Sequence, residues 1–366
     1  MLFWIEKNQK ITYKKLISDI SSNELISYPK VYSDVIKMFR KLLEGNALLD
    51  YDSVIYYLNE NSEKLIFELT TSGTTSKPKK VNVKLDICLR HIKNDNNNKV
   101  WALCYPPSSF AFTQVLFQAF YNKQTVVNCF SEEYSKVIKL IEKQNITNLS
   151  CTPSYINMLI ISMERKIKSI KSITLGGEIL TKRTYDSIKD NFINSKVINI
   201  YASTEAGSLL YSNSYLFEIK DKINKKLKIK NNELLIHKSL INTLPKVKLI
   251  DEFYSSGDIV KKLDEKKFYF VNRKKSYLNV GGLRINPIEV EELIRKNINS
   301  IKDVRVFGKE NSVLGSILIA EVICIDMTVK ELKKKIKENL PESKRPQMVI
   351  IVDQLTLTNS GKKIRR

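Results

Sequence analysis

The chain has 366 residues, enough for large cores and two domains, and its 43% hydrophobic and 27% charged content is ordinary for a globular protein. With 61 Lys and Arg against 39 Asp and Glu the formal net charge is +22; no nucleic-acid motif accompanies it, so the excess reads as compositional and a nucleic-acid ligand is disfavoured. No apolar run approaches a membrane span, because the greasiest stretch, Ser316 to Asp326, is interrupted by Glu321.

Along the chain, Met1–Ile5 is followed at once by Glu6 and Lys7, so no signal peptide is expected. A strand-like run, Leu65–Leu69, feeds Thr70-Thr71-Ser72-Gly73-Thr74-Thr75-Ser76-Lys77-Pro78-Lys79. That loop suits a nucleotide's phosphates: Gly73 allows close approach, hydroxyls donate hydrogen bonds and lysines supply charge. The Walker spacing is missing. Strands are then predicted over Lys99–Tyr105, Thr125–Phe130, Thr147–Cys151, Ser172–Leu175 and Lys196–Tyr201. Helices are predicted over Phe110–Tyr121, Glu132–Lys143, Ser154–Lys166 and Thr181–Phe192. The alternation argues for parallel α/β layers, whose ligands sit beyond the carboxyl ends of strands. The phosphate loop, Gly176-Gly177-Glu178 and Tyr201-Ala202-Ser203-Thr204-Glu205 are all expected there.

From Leu209 to Asn272 the pattern changes to hairpins. Lys226–Lys230 and Glu233–His237 flank Asn231-Asn232, and Asp258–Leu263 and Phe268–Val271 flank Asp264–Lys267, implying a small β subdomain. Beyond Arg273, one helix starts near Pro287 with Asn286 as N-cap, and another follows Thr328 with Glu331 completing a capping box. Strands Val304–Phe307, Ser316–Ile325 and Met348–Val352 complete an α+β unit. The five cysteines are scattered, odd in number and without C-x-x-C spacing, as in a reduced cytoplasmic protein, and two distant histidines argue against a histidine metal site or a Ser-His-Asp triad.

Taken in order, these segments resemble the adenylate-forming superfamily of acyl-CoA synthetases, aryl and acyl ligases and peptide-synthetase adenylation domains. Thr70–Lys79 resembles its phosphate loop, Tyr201–Glu205 its Y-G-x-T-E motif, Gly176–Glu178 its G-G-E segment and Ser255-Ser256-Gly257-Asp258 its T-G-D motif. The longest match, Asn272-Arg273-Lys274-Lys275 with Leu278 to Glu291, is similar to the hinge motif. Leu355 to Arg365 resembles the closing P-x-T-x-x-G-K-x-x-R. Ile11 to Leu16 resembles an early T-Y-x-x-L segment.

The resemblance implies a mainly parallel α/β amino-terminal AMP-binding domain with a small β subdomain (residues 1–274), and a mobile α+β lid (residues 275–366) hinged near Lys275. It implies nucleotide contacts from Thr70, Thr71, Ser72, Gly73, Thr74, Thr75, Lys79, Gly176, Gly177 and Glu178. Tyr201 would stack on adenine, Thr204 bond the α-phosphate, Glu205 help hold Mg²⁺, and Asp258 and Arg273 contact ribose. Lys362 aligns with the lysine that bridges carboxylate and α-phosphate; a point charge on a flexible stem suits that task. Gly281 and Gly282 would let a pantetheine arm pass. The implied reaction uses ATP and Mg²⁺ to convert a carboxylate into acyl-AMP and pyrophosphate, then transfers the acyl group to coenzyme A or a carrier-protein phosphopantetheine.

Pro107–Thr113 aligns with the acyl-pocket motif, with Phe110, Ala111 and Phe112 as pocket residues. Ala111 stands where α-amino acid ligases place an acid, and an unpaired ammonium there would be costly. The expected substrate is therefore a small apolar or aryl carboxylate, not an α-amino acid, with any acidic carrier protein acting in trans. The pattern departs from the family at Ser76, Lys80, Ala202, Asn272 and Thr356, and the region before the phosphate loop is short. The rival expectations are a nucleotide-binding member that has lost ligase activity, and a nucleic-acid binder drawn from charge alone.

Overall fold

The computed structural model describes residues 1–22, 28–43, 46, 50–71, 79–203, 206–219, 225–241, 249–311 and 315–365, with the backbone alone at 71 and 79. The chain forms two compact units. The first comprises residues 1–72, 78–215 and 238–248; the second comprises residues 73–77, 216–237 and 249–366.

The first unit opens with a hairpin, β1 (Leu2–Glu6) and β2 (Gln9–Thr12), which the sequence reading did not predict. Helices α1 (Tyr13–Ser21), α2 (Lys30–Leu42) and α3 (Tyr51–Asn61) follow. Thr12 caps α1, accepting from Lys15 N, and Asp50 caps α3, accepting from Ser53 N. Next come β3 (Ile66–Thr71), β4 (Lys79–Lys84) and α4 (Leu85–Leu89). The alternating layers are β5 (Val100–Leu103), α5 (Phe110–Tyr121), β6 (Thr125–Asn128), α6 (Tyr134–Lys143), β7 (Asn148–Cys151), α7 (Pro153–Ile161), β8 (Ser172–Gly176), α8 (Lys182–Asn191), β9 (Lys196–Ser203) and β10 (Gly207–Ser212). They build an eight-stranded sheet ordered β10-β9-β8-β7-β5-β6-β1-β2, parallel from β9 to β1 and antiparallel at both edges.

Pleating sends successive side chains to opposite faces. In β5, Trp101 and Leu103 join the core formed with α1, α2, α3 and α5, whereas Ala102 and the following Cys104 join the core beneath α6, α7 and α8. The short amino-terminal region thus covers one face, with Phe3 and Phe39 packed against Phe120 of α5. Cys104, Cys129 and Cys151 follow or end the neighbouring strands β5, β6 and β7, and all three are buried. The predicted α7 over Ser154–Lys166 is shorter than expected: Ser162 caps it through backbone bonds to Met158 and Leu159.

The second unit holds an antiparallel sheet, β11 (Phe217–Glu218), β12 (Leu227–Lys230), β13 (Glu233–His237), β14 (Phe253–Lys262) and β15 (Lys267–Arg273), ordered β11-β15-β14-β13-β12. Asn231 and Asn232 both adopt positive φ, 52° and 60°, as a two-residue hairpin turn requires. Then come β16 (Leu278–Val280), β17 (Leu283–Ile285), α9 (Pro287–Asn297), β18 (Ile301–Asn311), β19 (Gly315–Cys324), α10 (Val329–Asn339) and β20 (Met348–Ile351). Asn286 caps α9, and Thr328 with Glu331 forms the capping box of α10. Val290, Ile294, Leu332 and Ile336 pack these helices onto Val304, Val306, Leu318 and Ala320.

Gly207 opens β10 at φ +70°, and a Cβ there would meet Ile87 Cγ2 at 2.8 Å and Phe110 Cζ at 3.6 Å. Gly207→Ala is expected to destabilise the chain by about 1–2 kcal/mol, the left-handed backbone cost plus the displaced Ile87. Chemical denaturation measures it; an unchanged midpoint would mean that the turn relaxes freely.

Candidate active site

In the first unit, β3 pairs with β4 in a separate antiparallel ladder, with Thr70 opposite Lys80 and Thr71 opposite Lys79. The phosphate loop was expected past the end of a strand in the parallel sheet. The strand that enters it, β3, belongs instead to this separate ladder; Lys79–Lys84 reads as a strand once Val81 and Val83 are seen to alternate with polar neighbours. Ser72, Gly73, Thr74 and Thr75 lie outside the described residues, as do the side chains of Thr71 and Lys79. Lys80 Nζ pairs with Glu68 at 2.8 Å.

Thr70 N donates to Ser108 O at 2.8 Å, tying the entry of the loop to the segment that starts α5. Ser109 Oγ caps that helix by accepting from Phe112 N at 3.2 Å. Phe110 is half-buried beside Gly207, and Ala111 packs against the same core. Phe112 corrects the sequence reading: it is 0% exposed and its ring lies 6.3 Å from that of Trp4, so it is a core residue rather than a pocket wall.

Gly176 ends β8 opposite Ile200 of β9, one residue before half-buried Tyr201, toward the carboxyl ends of two adjacent parallel strands. Thr204 and Glu205, the candidate phosphate and metal contacts, lie outside the described residues. Glu178 Oε2 accepts from Ser154 N at 3.0 Å, in the first turn of α7, where helix dipole and unpaired amides favour a carboxylate. This bond ties the G-G-E segment to the start of α7.

In the second unit, Asp258 is 5% exposed. It lies opposite Arg273, whose Nε donates to Oδ1 at 2.6 Å. Glu233, 6% exposed, is the organiser that the sequence reading passed over. Its Oε1 accepts from Ser255 Oγ at 2.5 Å and Gly257 N at 2.8 Å, and its Oε2 accepts from Lys274 Nζ at 2.5 Å. Burial opposes its ionisation, yet Lys274, Ser255 and Gly257 outweigh that and hold its carboxyl below the ordinary range. One side chain therefore fixes the turn before Asp258 and the residue after Arg273. The available signal was an acid heading the apolar run Leu234-Leu235-Ile236.

Lys275 is exposed in a short 3-10 turn. Around it, Asn272 Nδ2 donates to Asn286 Oδ1 at 2.9 Å and Arg284 Nη2 donates to Lys274 O at 3.2 Å. Gly281 and Gly282, at φ 56° and 81°, form the exposed two-residue turn between β16 and β17, a conformation that already requires glycine-like freedom. Half-buried Lys362 follows a turn in which Gly361 N donates to Thr358 O at 2.8 Å and Lys362 N to Thr358 Oγ1 at 3.1 Å.

The fold matches solved adenylate-forming enzymes, and family models carry the class. A model for the AMP-binding enzyme family matches residues 24–234, and one for the AMP-binding enzyme C-terminal domain matches residues 289–362. The chain belongs to the AMP-binding enzyme family. Among its relatives, 2-succinylbenzoate–CoA ligase of Lactococcus lactis is 24% identical over 332 residues, covering 83% of this chain and 70% of that protein. The Listeria monocytogenes protein of the same name is 27% identical, covering 64% of this chain and 52% of that one. Gramicidin S synthase 2 of Brevibacillus brevis is 22% identical across 88% of this chain, which spans 8% of that protein. The fold matches Bacillus subtilis o-succinylbenzoate CoA synthetase (MenE) with its acyl-adenylate intermediate at a TM-score of 0.65, 17% identity, and coverage of 100% of this chain and 94% of that one. ATP-bound MatB of Rhodopseudomonas palustris matches at 0.70 with 14% identity, covering 99% and 94%.

Glu233→Gln is expected to weaken AMP binding about tenfold, roughly 1.4 kcal/mol, in a calorimetric titration; an unchanged Kd would mean that the Asp258 turn holds without it. Because this carboxyl is held low, its support is complete above the ordinary carboxylate range and is lost as pH falls through the lower folded value.

Proposed function

We propose that the chain uses ATP to activate a small apolar or aryl carboxylate as acyl-AMP, releasing pyrophosphate, and then passes the acyl group to the thiol of coenzyme A. The observation that carries this reading is the presence in one chain of both family domains, the second ending in the turn that bears Lys362. Two relatives are named for 2-succinylbenzoate, which supports an aryl acid. Ala111 supports a substrate without an α-ammonium group, since its methyl offers no counter-charge.

In this reading Tyr201 stacks on the adenine, and Asp258, buried and oriented by Arg273, accepts from the ribose hydroxyls. The hydroxyls of Thr70 to Thr75 and Thr204 hold the phosphates, with Lys79 adding charge. Lys362 lies between the carboxylate oxygen and the α-phosphate and offsets the charge that builds there. Glu205 is a hard oxygen donor suited to Mg²⁺, which supplies charge neutralisation on the phosphates. Glu178, engaged with Ser154 N, shapes the adenine side of the pocket rather than reacting. The lid then turns about Lys275 and presents Gly281 and Gly282 to the pantetheine arm.

An acidic acyl carrier protein is the alternative acceptor, toward which a net charge of +22 is favourable. The described cysteines are free and four of the five are buried, which supports a reducing cytoplasm. Among the described residues no helix is long and apolar enough to cross a membrane.

Mg²⁺-ATP-dependent pyrophosphate release is expected with one or more of acetate, isobutyrate, benzoate, 2-succinylbenzoate and octanoate, and not with α-amino acids. Lys362→Ala should lower that rate by at least ~100-fold. Thioester formation from the preformed acyl-adenylate should stay near wild type. ATP binding without pyrophosphate release on any acid would instead indicate a nucleotide-binding member without ligase chemistry.

A further inference from the structure

Two adjacent lysines close this chain, Lys362 and Lys363, and their local chemistry is the same. The structure treats them differently. Lys363 is 3% exposed. Its Nζ donates to Asp303 Oδ1 at 2.8 Å and Val304 O at 2.7 Å, and lies 3.7 Å from Glu291 Oε2. Both carboxylates are 1% exposed and also accept main-chain N–H groups, from Val304 to Asp303 at 2.8 Å and from Val306 to Glu291 at 2.9 Å.

The same terminal stretch is held at further points. Arg365 donates to both oxygens of Glu291, at 3.1 and 3.0 Å. Arg305 Nη1 donates to Ile364 O at 2.7 Å, and Gly308 N to Arg365 O at 3.3 Å. Lys363 pairs with Leu357 across an antiparallel bridge, so the tail is extended there. In extended chain, neighbouring side chains face opposite ways, and burial alternates accordingly: Lys363 is buried, and Lys362 and Ile364 are half-buried. A slip of one residue would exchange the two lysines.

Burial opposes ionisation of Glu291 and Asp303, but their cations outweigh it and hold both carboxyls below the ordinary range. With Arg295, which donates to Asp303 at 2.5 Å and Glu292 at 2.5 Å, the cluster holds three carboxylates and three cations and is formally neutral.

We propose that Lys363 is a positioning residue for adenylation: its buried clamp on Asp303 and Glu291 sets the register of the terminal strand and so presents Lys362 from the other side. This rests on the reading of Lys362 as the lysine at the α-phosphate. Without the clamp the tail keeps its other contacts but loses the buried side-chain anchor next to Lys362. A misplacement of about 1 Å is enough to cost a large factor in rate.

The test uses the full chain, with the most active acid of the five above, and measures pyrophosphate release beside thioester formation from the matching acyl-adenylate. Lys363→Met should slow the first by about tenfold or more, and leave the second near wild type. Lys363→Arg, which keeps charge and donors, should recover part of the lost rate. Lys363→Met combined with Asp303→Asn restores charge balance; it keeps the domain folded, as its thermal midpoint should show, and pyrophosphate release should remain slow. A wild-type rate in Lys363→Met, equal slowing of both steps, or full recovery in the double variant would overturn the proposal, the last by reducing Lys363 to charge balance. Undiminished release in Lys362→Ala, or wild-type silence on all five acids, would overturn the underlying reading instead.

Discussion

A carboxylate removed from water must be matched by a cation and by N–H or O–H donors, and the second unit is organised around that requirement. Glu233, Asp258, Glu291 and Asp303 are each at most 6% exposed. Each meets a cation from a family motif: Lys274 and Arg273 from the hinge segment, Arg365 and Lys363 from the tail. The motifs are therefore not loops lying on a finished scaffold. They supply counter-charges to buried acids, at Glu233 and Asp258 and, together with Arg295, at Asp303 and Glu291, so folding and the presentation of functional groups share the same bonds.

Local signals carried much of the fold. Asn286 before Pro287 and Thr328 with Glu331 mark helix starts through backbone chemistry that needs no distant partner, and these caps form as expected; Ser109 caps α5 in the same way. The Asn231-Asn232 turn is legible for the same reason. What escaped was set by distant contacts. Strand β1 folds back on β2 locally, but its place in the parallel sheet is set by pairing with β6, 122 residues along at Trp4 and Val126. Phe112 and Phe110 look alike in sequence, but helical geometry turns one onto Trp4 and leaves the other beside Gly207. Glu233 reads as one more surface acid until β14 and Lys274 close over it.

Three departures from the family pattern, at Asn272, Lys80 and Thr356, have physical counterparts in the structure. Asn272, at a position where glycine is usual, is 3% exposed and reaches Asn286, whose side chain also caps α9. A buried carboxamide pair thereby joins the strand before Lys275 to the helix after it. Lys80 is neutralised by Glu68 across the hairpin ladder. Thr356, in place of a proline, keeps an amide that lies 3.5 Å from Glu321 Oε2, a contact a proline could not make.

The buried cysteines bear on the safety of an activated acyl group. An acyl phosphate anhydride is open to attack by any thiolate, and an enzyme that makes one beside its own reactive cysteine would acylate itself. Burial pushes the Cys88 thiol up to about 12 and those of Cys129 and Cys151 well above their usual value, although the Cys129 shift owes more to its hydrogen bond with Cys104. These side chains remain neutral and poorly nucleophilic near pH 7. Burying Cys88, Cys129 and Cys151 in the cores of the first unit withholds three rivals to the acceptor thiol that the proposed function calls for.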